Sequence, residues 1–232
     1  MTDLPLITLE LFHAAAVEFA EALAVSPLPD LYGATDGKAV GTKVESMFKE
    51  HLAERYDLTV GNAARGIDFP DLNVDLKVTS LKQPQSSSPF DSATQKIYGL
   101  GYHLLCVVYV KRDVPEERAA YLDIRHVVFI HSARTGDHTI TRLIRDVVLT
   151  PDPTGAESRE TKIEDVDAIL QDKNVPLDEV SRRSLAERIV DDVPEQGVLT
   201  ISNALQWRLQ YGRAIAAATN KTFDREVVDL RA

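Results

Sequence analysis

The sequence has few of the features that mark secreted and membrane proteins. It has a single cysteine, Cys106, among 232 residues, which excludes a disulfide framework within the chain and fits a reducing cytoplasm. No apolar run approaches the roughly 20 residues that a membrane span needs. The first apolar stretch, residues 6–25, is interrupted by charged side chains and lacks the pattern of a signal peptide. We therefore expect a cytoplasmic protein without a membrane partner.

Positive charge is also scarce, since the formal net charge is −10 at pH 7. This deficit argues against bulk, non-specific binding of nucleic acid. The charge is distributed unevenly, however. Residues 76–145 contain ten Lys and Arg against six Asp and Glu, whereas residues 152–195 contain six against thirteen. A mildly basic part and a separate acidic part are compatible with DNA binding that depends on specific contacts.

The most informative stretch is 66–78. Its second half alternates apolar and charged residues with the period of two that is typical of a β-strand. Asp75 and Lys77 lie on one face of that strand. The opposite face is apolar and consists of Val74, Leu76 and Val78. This pattern places a carboxylate and an ammonium group at one spot on a sheet.

A bend precedes this strand. Pro70 interrupts ladder pairing and Asn73 suits a turn, so we expect two extended pieces that return Asp68 towards Asp75. Two carboxylates with the ammonium of Lys77 form a candidate site for Mg²⁺, which binds one or two protein carboxylates together with phosphate and water. The lysine can contact a phosphate oxygen or polarise an attacking water. The alternative is a surface strand with an ordinary salt bridge.

Residues 68–77 read Asp-Phe-Pro-Asp-Leu-Asn-Val-Asp-Leu-Lys. This segment resembles the active site of the MutH-type branch of the PD-(D/E)XK nucleases, which includes the mismatch-repair nicking endonuclease and related type II restriction endonucleases. The branch has Asp, Phe, a short turn, Leu-Gly-Val, an acidic residue, Leu and Lys. The spacing between the two acids is the same here, while Asn73 replaces the usual glycine and Asp75 replaces glutamate. The resemblance covers about residues 38–112.

Two further positions fit this resemblance. Glu45 lies at the edge of the apolar stripe of a helix predicted at 43–56, where the family has a helical glutamate; the alternative is a solvated glutamate. Lys96 lies just before the next apolar strand, where the branch has another lysine. The resemblance implies that Lys77 activates water and contacts the scissile phosphate, and that Lys96 adds charge stabilisation. The ligands that it implies for Mg²⁺, with Mn²⁺ as a substitute ion, are Asp68, Asp75 and Glu45.

Three parts of the chain supply candidate DNA contacts. Residues 79–90 are polar, with two prolines, and are predicted to form a loop after the catalytic strand; the alternative is a plain solvent loop. Arg134 follows the next strands. A last long helix is predicted from Ser202 or Asn203 to about residue 219, where it can enter a groove, fill a dimer interface or pack in the core. The candidate DNA-binding residues are Lys82, Gln83, Gln85, Ser86, Ser87, Arg134, Gln206, Arg208 and Arg213.

Hydrophobic periodicity predicts further helices and several strands. The main helices are placed at 6–24, 43–56, 163–173 and 177–190, and the strands at 74–78, 102–110 and 127–130. Strands separated by helices favour an α/β fold with a central mixed β-sheet flanked by helices, which the resemblance implies is restriction-endonuclease-like. We expect residues 1–150 to form a nuclease core with N-terminal helices. Residues 151–232 are expected to form a mainly helical extension, packed on the core, that contributes to DNA recognition or dimerisation.

The resulting hypothesis is a Mg²⁺-dependent, sequence-specific DNA endonuclease, a type II restriction enzyme that leaves 5′-phosphate and 3′-hydroxyl ends on double-stranded DNA. One alternative is a structure-specific or nicking nuclease of DNA repair. Another is a non-catalytic DNA-binding module of the same fold, which the complete Asp, Asp, Lys set argues against. Cleavage of both strands usually needs two active sites and suits a two-fold homodimer, whereas a nickase works with one.

Overall fold

The computed structural model describes residues 4–59, 61, 66–88, 91–151, 158–202 and 207–232, and the chain divides into two compact units. The first unit comprises Met1–Ser86, Tyr102–Ile130 and Ala214–Ala232, and the second Ser87–Gly101 and His131–Arg213. Both units are assembled from separate segments of the chain. Each unit contains a hydrophobic cluster of its own.

The secondary structure alternates between helices and strands along the chain. Among the described residues, the helices are α1 (Leu9–Val25), α2 (Gly37–Ala53), α3 (Gln95–Tyr98), α4 (His138–Leu149), α5 (Arg159–Asp172), α6 (Glu179–Asp191) and α7 (Gly212–Thr219). The strands are β1 (Val74–Ser80), β2 (Gln85–Ser88), β3 (His103–Val114), β4 (Ala119–Ile130), β5 (Thr200–Ile201), β6 (Trp207–Gln210) and β7 (Val227–Asp229). Within the part of the chain that the structure describes, no helix is long and apolar enough to cross a membrane.

The sheet of the first unit has four strands in the order β1-β3-β4-β7. Strand β1 is parallel to β3, whereas β3 with β4 and β4 with β7 are antiparallel, so the sheet is mixed. Helix α1 packs on β4 and helix α2 on β1. Three phenylalanine rings, Phe12, Phe48 and Phe69, meet in this core at centroid distances of 5.1 to 5.7 Å. The predicted α/β fold with a central mixed sheet flanked by helices is confirmed.

Helix α2 begins earlier than the sequence predicted. The helix predicted from residue 43 starts at Gly37, because Asp36 caps it by accepting the N–H of Lys38 at 3.0 Å. The buried stripe of the helix starts in this first turn with Val40. The N-terminal cap and the early apolar contact compensate for the low helix propensity of Gly37 and Gly41. The earlier start leaves the predicted position of Glu45 within the helix unchanged.

In the second unit, helices α4 to α6 enclose an apolar cluster. The large buried side chains that these three helices contribute are Ile140, Ile144, Ile163, Leu170, Leu185 and Ile189. The long helix expected at 202–219 is confirmed only for residues 212–219, which form α7. It is wrong at residues 207–210, which form strand β6, antiparallel to β5. Leu209 is buried while Arg208 and Gln210 are exposed, and this alternation has the period of a strand.

Candidate active site

A short turn brings the two predicted carboxylates together. Pro70–Leu72 form one turn of 3₁₀ helix, and Asn73 follows in the left-handed conformation with φ 54°, as the expected bend requires. Phe69 and Val74 then exchange backbone hydrogen bonds of 2.9 and 3.1 Å in an antiparallel bridge. Asp68 and Asp75 are the next residues outward from this bridge, so they lie opposite each other across it. The predicted return of Asp68 towards Asp75 is therefore confirmed.

Asp68 is held in this position by the start of β1. Its Oδ2 accepts the backbone N–H of Leu76 at 3.0 Å. Its Oδ1 lies 2.7 Å from Nζ of Lys49, a residue of α2. Burial alone would raise the pKa of Asp68, but the hydrogen bonds from Lys49 and Leu76 and the charge of Lys49 lower it below its ordinary value. Asp68 thus carries negative charge at neutral pH.

Asp75 is the most deeply buried acid of the site, with only 3% of its side chain exposed. Its Oδ2 lies 2.6 Å from Nζ of Lys77, and the side chain of Lys77 is 17% exposed. Burial, and to a smaller degree the neighbouring Asp68, raise the pKa of Asp75 to about 7, while Lys77 opposes this rise. The two carboxyl groups therefore titrate as a coupled pair, in which Asp68 is the stronger acid.

Glu45 reaches the same cluster through Lys49 rather than directly. Lys49 Nζ lies 2.5 Å from Glu45 Oε1, one helical turn earlier on α2. Although burial lowers it, the hydrogen bonds and charges of Asp68 and Glu45 raise the pKa of Lys49. Lys49 is not among the site residues predicted from the sequence. The signal that could have found it is the Glu-to-Lys spacing of four residues on a helix, which is common on solvated helix faces and gives no hint of a third partner.

The donor set fits a small, hard cation that takes two protein carboxylates. Among the described residues, no group of three or more His, Cys, Asp and Glu side chains is placed to hold a metal ion. Asp75 Oδ2 is buried and accepts no hydrogen bond of acceptable geometry from the described residues, although Lys77 is close. Mg²⁺ usually needs only one or two carboxylates and completes its shell with water and phosphate. Asp68 and Asp75 meet that requirement, and Glu45 would join only after leaving Lys49.

Lys96 belongs to the second unit, where its side chain is fully buried. It lies on α3, and its backbone carbonyl accepts the N–H of Asp137 at 2.7 Å. Burial lowers the pKa of Lys96, while the charge of Asp137 opposes this shift. Asp137 also caps α4 through the N–H groups of Thr139 and Ile140. The catalytic part expected of Lys96 stays a prediction.

The polar segment after β1 is more ordered than the loop that was expected. Residues 85–88 form strand β2, and Thr79 Oγ1 joins the two strands by hydrogen bonds with the backbone of Gln83 and Gln85 at 3.0 to 3.2 Å. These bonds use main-chain atoms. Lys82, Gln83 and Ser87 are exposed, whereas Gln85 and Ser86 are half-buried. The contacts of these five side chains with DNA stay a prediction.

The remaining candidate DNA contacts lie on several elements. Arg134 is held within the second unit by Glu195 at 3.1 Å and by the carbonyl of Gln196 at 3.3 Å, so its guanidinium already has protein partners. Arg208 is exposed on β6 and Arg213 is exposed at the start of α7. Gln206 lies outside the described residues.

Comparison with known proteins gives two matches that cover most of the chain. The model of a protein family described as "Type II restriction enzyme NspV" matches residues 6–223. The type II restriction enzyme NspV of Nostoc sp. (strain ATCC 29411 / PCC 7524) is 48% identical over 213 residues, which is 92% of this chain and 93% of that protein. No solved structure matches.

Proposed function

Because this chain belongs to the family of the type II restriction enzyme NspV and is a type II site-specific deoxyribonuclease, we propose that Asp68, Asp75 and Lys77 form its catalytic centre. The observation that carries this proposal is the bridge between Phe69 and Val74, which sets two carboxylates face to face with a lysine beside them. The same cluster is the one that the PD-(D/E)XK pattern picks out, and we assign the chain to the MutH-like branch of that superfamily.

Asp68 and Asp75 would hold Mg²⁺, for which Mn²⁺ can substitute. When bound there, the ion would offset negative charge on the scissile phosphate and lower the pKa of a bound water. The need for such an ion follows from the charge of the site, because two acids at the reaction centre would otherwise repel the DNA backbone. Glu45 serves as a further ligand or as an orienting acid, in keeping with its place in the cluster.

Lys77 positions the reacting groups. Its ammonium is fixed at 2.6 Å from Asp75 Oδ2 and is largely shielded from water, so it can donate hydrogen bonds to a phosphate oxygen or to the attacking water with little loss of side-chain freedom. Asp75 holds that ammonium in place. Hydrolysis of the phosphodiester bond would leave a 5′-phosphate and a 3′-hydroxyl, and Lys96 is assigned a supporting electrostatic part.

Recognition of double-stranded DNA is assigned to side chains outside this cluster. In the turn and strand after β1, Lys82, Gln83, Gln85, Ser86 and Ser87 offer donors and acceptors for bases and phosphates. Arg208 and Arg213 add exposed guanidinium groups. Cutting of both strands at one symmetric site favours a two-fold homodimer, and the unpaired, buried Cys106 is in keeping with a cytoplasmic enzyme.

The test is incubation of the full-length protein with plasmid DNA of mixed sequence and Mg²⁺. Discrete bands with 5′-phosphate ends are expected, and they should disappear when EDTA replaces Mg²⁺. Cleavage confined to branched DNA would indicate a structure-specific nuclease, and nicking without linearisation would indicate a single-strand enzyme. Absence of cleavage with any divalent ion would contradict the proposal. Size-exclusion chromatography, with and without a DNA duplex that contains the cleavage site, would test whether the protein forms a dimer.

A further inference from the structure

Lys49 joins two carboxylates of the candidate active site and has no part in the catalytic scheme above. Its Nζ lies 2.5 Å from Glu45 Oε1 and 2.7 Å from Asp68 Oδ1. Only 20% of the Lys49 side chain and 17% of the Asp68 side chain are exposed, so solvent screens this contact less than it screens a surface ion pair. The lysine therefore supplies a fixed positive charge beside the proposed ion ligands.

Both oxygens of Asp68 already have a hydrogen-bond donor. Oδ2 accepts the N–H of Leu76 at 3.0 Å, a bond that anchors the carboxylate to β1, and Oδ1 accepts from Lys49 at 2.7 Å. A divalent ion that binds either oxygen through its remaining lone pair lies within a few ångströms of the Lys49 ammonium. Two cations at such a distance repel each other strongly in a partly buried site, so the ion competes with Lys49 for Asp68.

We propose that Lys49 is an internal counter-ion that competes with the divalent ion for Asp68 and so sets the ion concentration at which the site fills. The inference rests on the proposed function, because it takes Asp68 and Asp75 as the ion ligands. Lys49 links Glu45 and Asp68 and offsets their repulsion before the ion arrives. Its displacement then frees Glu45 to act as the further acid.

The first test measures Mn²⁺ binding to the full-length protein without DNA, by the loss of the paramagnetic resonance signal of free Mn²⁺. Lys49→Met removes the charge and keeps the aliphatic chain, and it should bind Mn²⁺ at least about tenfold more tightly than the wild type. Lys49→Arg keeps the charge and should stay close to the wild type. Lys43→Met is the matched control, since Lys43 lies on the same helix in an exposed pair with Asp30, and its Mn²⁺ affinity should not change.

The outcomes separate the two claims. Unchanged or weaker Mn²⁺ binding by Lys49→Met would overturn the proposal that Lys49 competes with the ion. Loss of Mn²⁺ binding in Asp75→Ala would in that case still support the proposed ion site. If Asp75→Ala binds Mn²⁺ as the wild type does, the ion lies elsewhere and both claims fail.

A second measurement distinguishes competition from a purely structural lysine. In EDTA, Lys49→Met should melt at a lower temperature than the wild type, because Glu45 and Asp68 then repel each other. Saturating Mn²⁺ should raise the melting temperature of Lys49→Met by more than it raises that of the wild type. Equal destabilisation with and without Mn²⁺ would mean that Lys49 only supports the fold. If Lys49→Met does not fold in EDTA, Lys49→Gln, which keeps a hydrogen-bond donor, is measured in the same way.

Discussion

The sharpest prediction concerns Lys77 and Asp75. Replacement of either residue by alanine should lower the rate of DNA cleavage by about 100-fold or more, which corresponds to about 2.7 kcal/mol of lost transition-state stabilisation. The expectation follows from the geometry, since the two charged groups lie 2.6 Å apart and are largely shielded from water. Electrostatic effects of this size are typical of fixed charges in partly desolvated sites.

Both variants should nevertheless fold. Removal of Lys77 would leave Asp75 buried, but burial already raises the pKa of Asp75 to about 7, so the carboxyl group can take up a proton instead of remaining as an unpaired buried charge. Removal of Asp75 leaves the partly buried ammonium of Lys77 with Asp68 as a neighbouring negative charge. We expect the free energy of unfolding to fall by only about 1 to 2 kcal/mol in each case, as measured by chemical denaturation.

Lys111 provides the matched control. It also lies on a strand, and its Nζ forms an ion pair of 2.5 Å with Asp113, two residues away. Lys111→Ala should therefore reproduce the loss of a strand lysine and its ion pair without a change in cleavage. The assay is single-turnover cleavage of a plasmid with excess enzyme. Near wild-type cleavage rates for Lys77→Ala or Asp75→Ala would show that these residues do not form the catalytic centre. An equal loss of cleavage rate in Lys111→Ala would contradict the proposal as well.

Three other predictions address helix α2, His13 and the polar segment after β1. Glu45→Ala should reduce cleavage more than Glu50→Ala, because Glu45 pairs with Lys49, whereas the exposed side chain of Glu50 accepts a hydrogen bond only from Ser46 among the described residues. Equal cleavage rates would show that α2 does not contribute to the active site. Burial lowers the pKa of His13 below 6.5, although Glu10 opposes this shift. As the pH falls through 6.5, His13 therefore takes up a proton in the unfolded state before it does so in the folded state. The free energy of unfolding should therefore fall more in the wild type than in His13→Leu between about pH 7.5 and pH 5.5, and parallel denaturation curves would refute this. Combined replacement of Gln83 and Gln85 by alanine should weaken binding of a cognate duplex in Ca²⁺ more than binding of a random duplex at one salt concentration, and an equal loss on both in a gel-shift assay would restrict these residues to backbone contacts.

The part of the site that the sequence predicted correctly is local in the chain. Asp68 and Asp75 are seven residues apart, and their meeting depends only on the turn between them, which Pro70 and Asn73 specify. The strand that follows was predicted from its alternation of apolar and charged residues. Of its predicted apolar face, Val74 and Leu76 are buried and Val78 is partly buried. The fold class could also be predicted from local patterns, because apolar periodicity indicates which face of each helix or strand is buried.

Predictions failed where local patterns were ambiguous. Residues 207–210 and α7 were joined into one helix, because aromatic, arginine and glutamine residues occur readily in helices, although the alternation around Leu209 has the period of a strand. Helix α4 was not predicted at all, yet Asp137 caps it by accepting the N–H groups of Thr139 and Ile140. Strand β4 was expected at 127–130 but begins at Ala119, since pairing with β3 extends it beyond its most apolar part.

Lys49 shows why the electrostatics of the site could not be predicted from the sequence. Its pairing with Glu45 is local and follows from helical spacing, but its pairing with Asp68 depends on how α2 packs on β1, which no short pattern encodes. That packing changes the charge of the site, because a cation already lies against the carboxylate that the motif assigns to the metal. Two chains with the same Asp, Asp, Lys motif can therefore differ widely in ion affinity, depending on the residue one helical turn after the glutamate. In the proposed scheme, Asp68, Asp75 and Lys77 form the reaction centre, and the packing of α2 on β1 sets the ion concentration that this centre requires.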